Sequence, residues 1–120
     1  MLLKLYKGLV YSANGLLQTY QKELSFRLEV WAGILFVVFA YLFWPLKSWE
    51  LIFLILSYFL ILLTELINTA IEAIWKIAHP DFHETVGFSK DAASAAVFLA
   101  IIISVTIAII IILNRLNFIG

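Results

Sequence analysis

An all-α integral membrane protein, with three spanning helices preceded by one amphipathic surface helix, is the fold class the sequence predicts, and three observations predict it. Hydrophobic residues make up 64% of the 120-residue chain and charged residues only 13%, where a soluble domain carries about 25% charged residues. Three apolar runs approach or exceed the roughly 20 helical residues needed to cross a hydrocarbon core of about 30 Å. Ahead of them, apolar and polar residues alternate with a helical rhythm, the pattern of a helix lying in the interface.

That first segment, residues 1–28, places Leu2, Leu5, Leu9, Leu16, Leu17 and Leu24 with Tyr6, Tyr11 and Tyr20 among Lys4, Lys7, Lys22, Glu23 and Arg27. The scattered charges leave no compact apolar core for a signal peptide, so the segment is expected to stay with the protein. Gly8 and Gly15 weaken it as a helix. The first span is expected over residues 29–46, ended by Pro45. The second starts near Trp49 and stays helical in pattern to Ala78, about 30 residues or about 45 Å. It is longer than the membrane is thick, so its last turns should emerge from the hydrocarbon. A loop follows over 79–89, then a third span over 90–114. The chain has no cysteine, which removes disulfides, thiolate metal sites and cysteine nucleophiles.

Three spans put the N-terminal segment and the second loop on the same side, with Lys4, Lys7, Lys22, Arg27, Lys76 and Lys90; Lys47 and Arg115 lie opposite. This asymmetry predicts a cytoplasmic N-terminus and second loop. Glu23, Glu29, Glu65, Glu72, Asp81, Glu84 and Asp91 then fall at or near the cytoplasmic face, and only Glu50 lies outside.

The most informative cluster is Glu65, Asn68 and Glu72, spaced by three and four so that they share one helical face with Thr69 and Lys76. Glu65 lies about 24 Å along the helix from Trp49, where an unpaired carboxylate is costly. It needs a partner. A salt bridge to a neighbouring helix or a proton-relay acid in a small transporter would supply one structural explanation. The other is phosphate chemistry: clustered carboxylates repel a polyphosphate, but they bind magnesium while the nucleotide's oxygens complete the octahedron. Lys90 would then supply a cation for the phosphates, unless it is only a snorkelling interfacial lysine. Asp91 either joins it or serves the first turn of the third helix. His79 and His83 are separated by Pro80 and cannot form a regular helical pair. Ala92, Ala93, Ser94, Ala95 and Ala96 allow close helix packing, with Ser94 on the face of Asp91. No GxxxxGK[ST], GxGxxG or soluble-kinase signature is present, so nucleotide chemistry here must use a different site. No nucleic-acid partner is expected.

The segments ELINTAIEA (residues 65–73), FHE (82–84) and GFSKDAASAAV (87–97) resemble the prokaryotic diacylglycerol kinase family over essentially the whole chain. The resemblance implies a homotrimeric lipid kinase of the bacterial cytoplasmic membrane, with active sites shared between protomers, ATP as co-substrate and Mg²⁺ as cofactor. It implies Glu65 as the catalytic base with Asn68 in support, and Glu23 and Glu72 as the metal carboxylates. Lys4, Tyr11, Glu23, Glu72, Asp81, Phe82, His83, Lys90 and Asp91 are implied around ATP, and Glu29, Glu65 and Ser94 around the lipid. Departures from the family pattern fall at Lys4, Ala13, Asn14, Lys76 and Phe82. The family's undecaprenol kinases are the alternative within the resemblance, and GFSKDAASAAV with the FRLE acid sits closer to the diacylglycerol branch. A proton-coupled transporter and a purely structural subunit are the alternatives outside it.

Overall fold

The computed structural model describes residues 1–78 and 84–117, folded as five helices: α1 (Leu2–Lys22), α2 (Leu24–Trp31), α3 (Gly33–Leu42), α4 (Ser48–Ala78) and α5 (Glu84–Arg115). Three stretches are long and apolar enough to cross a membrane: Leu24–Leu42, Ser48–Ile77 and Glu84–Arg115. The predicted class is therefore the observed one.

α1 runs unbroken through both glycines. At each, a hydroxyl one turn later donates back to the glycine carbonyl: Ser12 Oγ to Gly8 O at 2.9 Å and Thr19 Oγ1 to Gly15 O at 2.7 Å. The helix buries none of its residues against the rest of the chain, which leaves its apolar face to lipid. It ends one residue before Glu23, whose φ −113° and ψ 113° are extended. Arg27 explains the corner. Its Nη1 donates to Tyr20 O and Gln21 O, both at 2.7 Å, so a cation satisfies carbonyls that a helix end leaves free. Trp31 Nε1 donates to Tyr20 Oη at 2.8 Å and ties the two helices a second time.

The first span consequently starts at Leu24, five residues before the expected boundary, and its helix ends at Leu42 rather than at 46. It bends at Ala32, between α2 and α3. Tyr58 of α4 packs into this bend: its hydroxyl donates to Val30 O at 2.7 Å, and a Cβ on Gly33 would stand 2.8 Å from that hydroxyl. The missing Cβ of Gly33 leaves room for the Tyr58 ring.

α4 and α5 form the core hairpin. Glu50, Leu54, Ser57, Ile61, Glu65 and Asn68 are buried on α4, at steps of three and four that keep them on one stripe. Ala93, Val97, Ala100, Ser104 and Ile111 are their buried counterparts on α5. Alanine and serine at the contact let the helices close up, which replaces the hydrophobic drive that lipid does not provide. The third helix begins at Glu84, six residues earlier than expected. Glu84 in the first turn favours that start, and Gly87 inside it costs only about 1 kcal/mol relative to alanine.

Candidate functional site

The buried stripe on α4 ends in two polar regions. At one end stands Glu50, with none of its surface exposed. Lys47 N donates to Glu50 Oε1 at 2.8 Å while Lys47 O accepts from Leu51 N, so Glu50 closes the N-terminus of α4 as the reaching-back half of a capping box. Arg115, at the end of α5, donates through Nη2 to Oε1 at 3.0 Å and through Nη1 to Oε2 at 3.3 Å. The same Nη2 donates to Phe43 O at 3.1 Å and Pro45 O at 2.7 Å. One guanidinium thus fastens α5, α4 and the α3–α4 connection.

At the other end lie the residues singled out by sequence. Glu65 is 6% exposed and Asn68 9%; Glu72, Glu23 and Glu29 are half-buried. Ser25 Oγ donates to Glu65 Oε1 at 3.0 Å, bridging α2 to α4. Asn68 Nδ2 donates to Glu72 Oε1 at 3.4 Å, a long bond along one helical turn. Glu65 lies within electrostatic range of each of Glu23, Glu29 and Glu72, which come from the α1–α2 corner, α2 and α4. Among the described residues the only ion pair is Arg115 with Glu50, so none of the four has a basic partner. Glu29 Oε2 and Asn68 Oδ1 are buried without a hydrogen-bond partner among the described residues.

Lys90 is half-buried near the start of α5 and holds its Nζ 4.2 Å from the centroid of the Trp75 ring. A ring face attracts the ammonium without consuming its three N–H donors. Trp75 Nε1 is itself buried without a partner. Sequence reasoning passed over Trp75, Ser25 and the Glu50–Arg115 pair; an aromatic one turn past Glu72 was the available signal for the first.

The remaining expected residues are dispersed. Asp91 and Ser94 are exposed on α5. Lys4 and Tyr11 are exposed on α1, where with Leu3, Lys7 and Gly8 they line a pocket that includes none of the carboxylates. Asp81, Phe82 and His83 lie outside the described residues.

The donor set suits a particular kind of cation. No group of three or more His, Cys, Asp or Glu side chains converges among the described residues, so these residues make no closed cage. Two part-exposed carboxylates, Glu23 and Glu72, in an excess of negative charge do fit magnesium, which takes one or two carboxylates and completes its shell with phosphate oxygens and water.

Comparison with known proteins identifies the family. The family model for prokaryotic diacylglycerol kinase matches residues 10–112. The diacylglycerol kinase of Escherichia coli K12 is 36% identical over 102 residues, covering 85% of this chain and 83% of the relative. That of Helicobacter pylori 26695 is 37% identical over 100 residues, covering 82% and 77%. The undecaprenol kinase of Bacillus subtilis 168 is 29% identical over 114 residues, covering 94% and 91%. With a family model spanning this much of the sequence, and with three membrane-length helices carrying the carboxylates at one end, the chain belongs to the prokaryotic diacylglycerol kinase family.

Proposed function

We propose that this protein is an ATP-dependent lipid kinase that phosphorylates the primary hydroxyl of diacylglycerol to give phosphatidic acid. The observation that carries the reading is the buried Glu65, with Glu23, Glu29 and Glu72 each within its electrostatic range and none of the four in an ion pair among the described residues. Such a set is costly at the edge of a bilayer. The Mg²⁺ that accompanies a nucleotide would bring the positive charge it lacks.

In this mechanism the lipid hydroxyl lies beside Glu65, the general base. The hydroxyl oxygen bonds to the γ-phosphorus, the bond from that phosphorus to the bridging oxygen of ADP breaks, and the hydroxyl proton passes to Glu65. Ser25 and Asn68 fix the surroundings of that carboxylate. Glu23 and Glu72 would hold Mg²⁺, whose chemistry when bound is to neutralise charge on the phosphate oxygens. Lys90 adds a point charge for the phosphates, with Asp91 beside it. Catalysis is then mostly positioning and charge neutralisation, as phosphoryl transfer requires.

The lipid tails have a place in keeping with this reading. An apolar groove of about 670 Å³ is lined by Leu16 of α1, by α4 residues from Phe53 to Leu66 and by Ile103 and Ile107 of α5, and it reaches the level of Glu65. The cytoplasmic membrane of a bacterium, with the N-terminus and the α4–α5 connection on the ATP side, is the corresponding location. A homotrimer fits the distance between the α1 pocket of Lys4 and Tyr11 and the carboxylates of the same chain: in shared sites those two residues serve a neighbouring protomer's nucleotide.

Purified protein in mixed micelles, given labelled ATP, magnesium and either diacylglycerol or undecaprenol, tests the reading directly. Labelled phosphatidic acid is the expected product. Preferential labelling of undecaprenol would move the protein to the other substrate, and labelling of neither would end the kinase reading.

A further inference from the structure

Glu65 reaches its site with one of its two oxygens already engaged. Ser25 Oγ donates to Oε1 at 3.0 Å across 40 residues of sequence, and Ser25 belongs to α2, while Glu65 belongs to α4. No other hydrogen bond to the Glu65 carboxylate exists among the described residues, and no basic side chain pairs with it there.

A glutamate side chain has three rotatable bonds, so a carboxylate held only at its backbone samples several directions. A base must instead sit within hydrogen-bond reach of the proton it takes. The surrounding charges do not supply that restraint. Glu23, Glu29 and Glu72 push Glu65 away from each of them, and Asn68 gives its amide N–H to Glu72. Among the described residues, the hydroxyl of Ser25 is the one hydrogen-bonding contact on the carboxylate.

We propose that Ser25 is a positioning residue of the kinase: by holding Oε1 it fixes the carboxylate plane and leaves Oε2 as the oxygen that accepts the proton of the lipid alcohol. The inference rests on the reading of Glu65 as the base. It adds the assignment of separate tasks to the two oxygens and gives α2 a part in catalysis. Ser25 is exposed overall, so a methyl group is tolerated there and threonine keeps the donor. Alanine removes the donor and little else.

The test measures kcat and both KM values of Ser25→Ala, Ser25→Thr and Glu65→Gln in mixed micelles with diacylglycerol and magnesium-ATP, and checks each for native thermal unfolding. Ser25→Ala is expected to lose about tenfold in kcat, the scale of one hydrogen bond to a charged group, with KM for ATP and for lipid within about twofold. Ser25→Thr should recover most of the rate. Full kcat in Ser25→Ala overturns the proposal while leaving the base assignment standing, provided Glu65→Gln is inactive. A loss that threonine does not recover, or one that falls on KM alone, also overturns it. An active Glu65→Gln removes the base assignment itself, and the proposal with it.

Discussion

Glu50 and Glu65 are both buried on the same face of α4, 15 residues apart, and they live in opposite electrostatic surroundings. Glu50 receives a backbone N–H and both terminal nitrogens of Arg115. Every strong interaction a carboxylate can want is met within the chain, and what results is a fastening. Glu65 receives one hydroxyl and faces three other carboxylates. A buried charge left uncompensated costs several kcal/mol, and in the proposed function it is the Mg²⁺ of the nucleotide that offsets this cost. The difference teaches that burial of an acid says little about its role. What distinguishes the two is whether the fold supplies the counter-charge.

The comparison breaks most visibly at Glu65. Glu65→Gln keeps the shape and removes the base, and turnover should fall by at least about a hundredfold with unchanged thermal unfolding; residual activity near the native rate would put Glu65 in the same structural class as Glu50. At the other end the effect should fall on stability alone. Arg115→Leu strands Glu50 and should cost about 3 kcal/mol, read from unfolding in a mixed-micelle titration, while kcat per folded molecule stays native. Adding Glu50→Leu to that variant should restore part of the loss, because no charge is then left buried. Glu72→Ala sharpens the comparison in the middle of the scale: the magnesium concentration for half-maximal activity should rise about tenfold, and an unchanged titration would take Glu72 out of the metal site. Smallest of all, Trp75→Leu should raise KM for ATP about threefold and leave KM for lipid alone, since a cation–π contact that is not fully desolvated contributes about 0.5–1 kcal/mol.

How much of this was legible in the sequence follows from the range of the interactions involved. The α4 stripe was readable because steps of three and four bring residues together within one helix. Its length was readable too, because no glycine or proline interrupts Ser48–Ala78. The boundaries of the neighbouring helices were not. The corner at Glu23 depends on Arg27 reaching back to carbonyls six and seven residues away, and the early start of α5 at Glu84 lies in a stretch whose glycine and polar residues read as loop. Contacts between helices were hidden altogether. Ser25 with Glu65 and Glu50 with Arg115 are 40 and 65 residues apart, and each member, seen alone, looks like an ordinary interfacial side chain. The expectation that Lys4 and Tyr11 approach the nucleotide came from resemblance, and within one chain they stand apart from the carboxylates.

The bend in the first span has a reach beyond its own packing. Gly33 leaves room for the Tyr58 hydroxyl, and that hydroxyl grips the Val30 carbonyl. Ser25 and Glu29 ride on the half-helix just before this grip. A single methyl at position 33 would stand 2.8 Å from the Tyr58 hydroxyl, so the ring and its bond to Val30 would have to shift. The rigidity that lipid-facing enzymes need at the water boundary is here anchored from below, by the absence of one side chain.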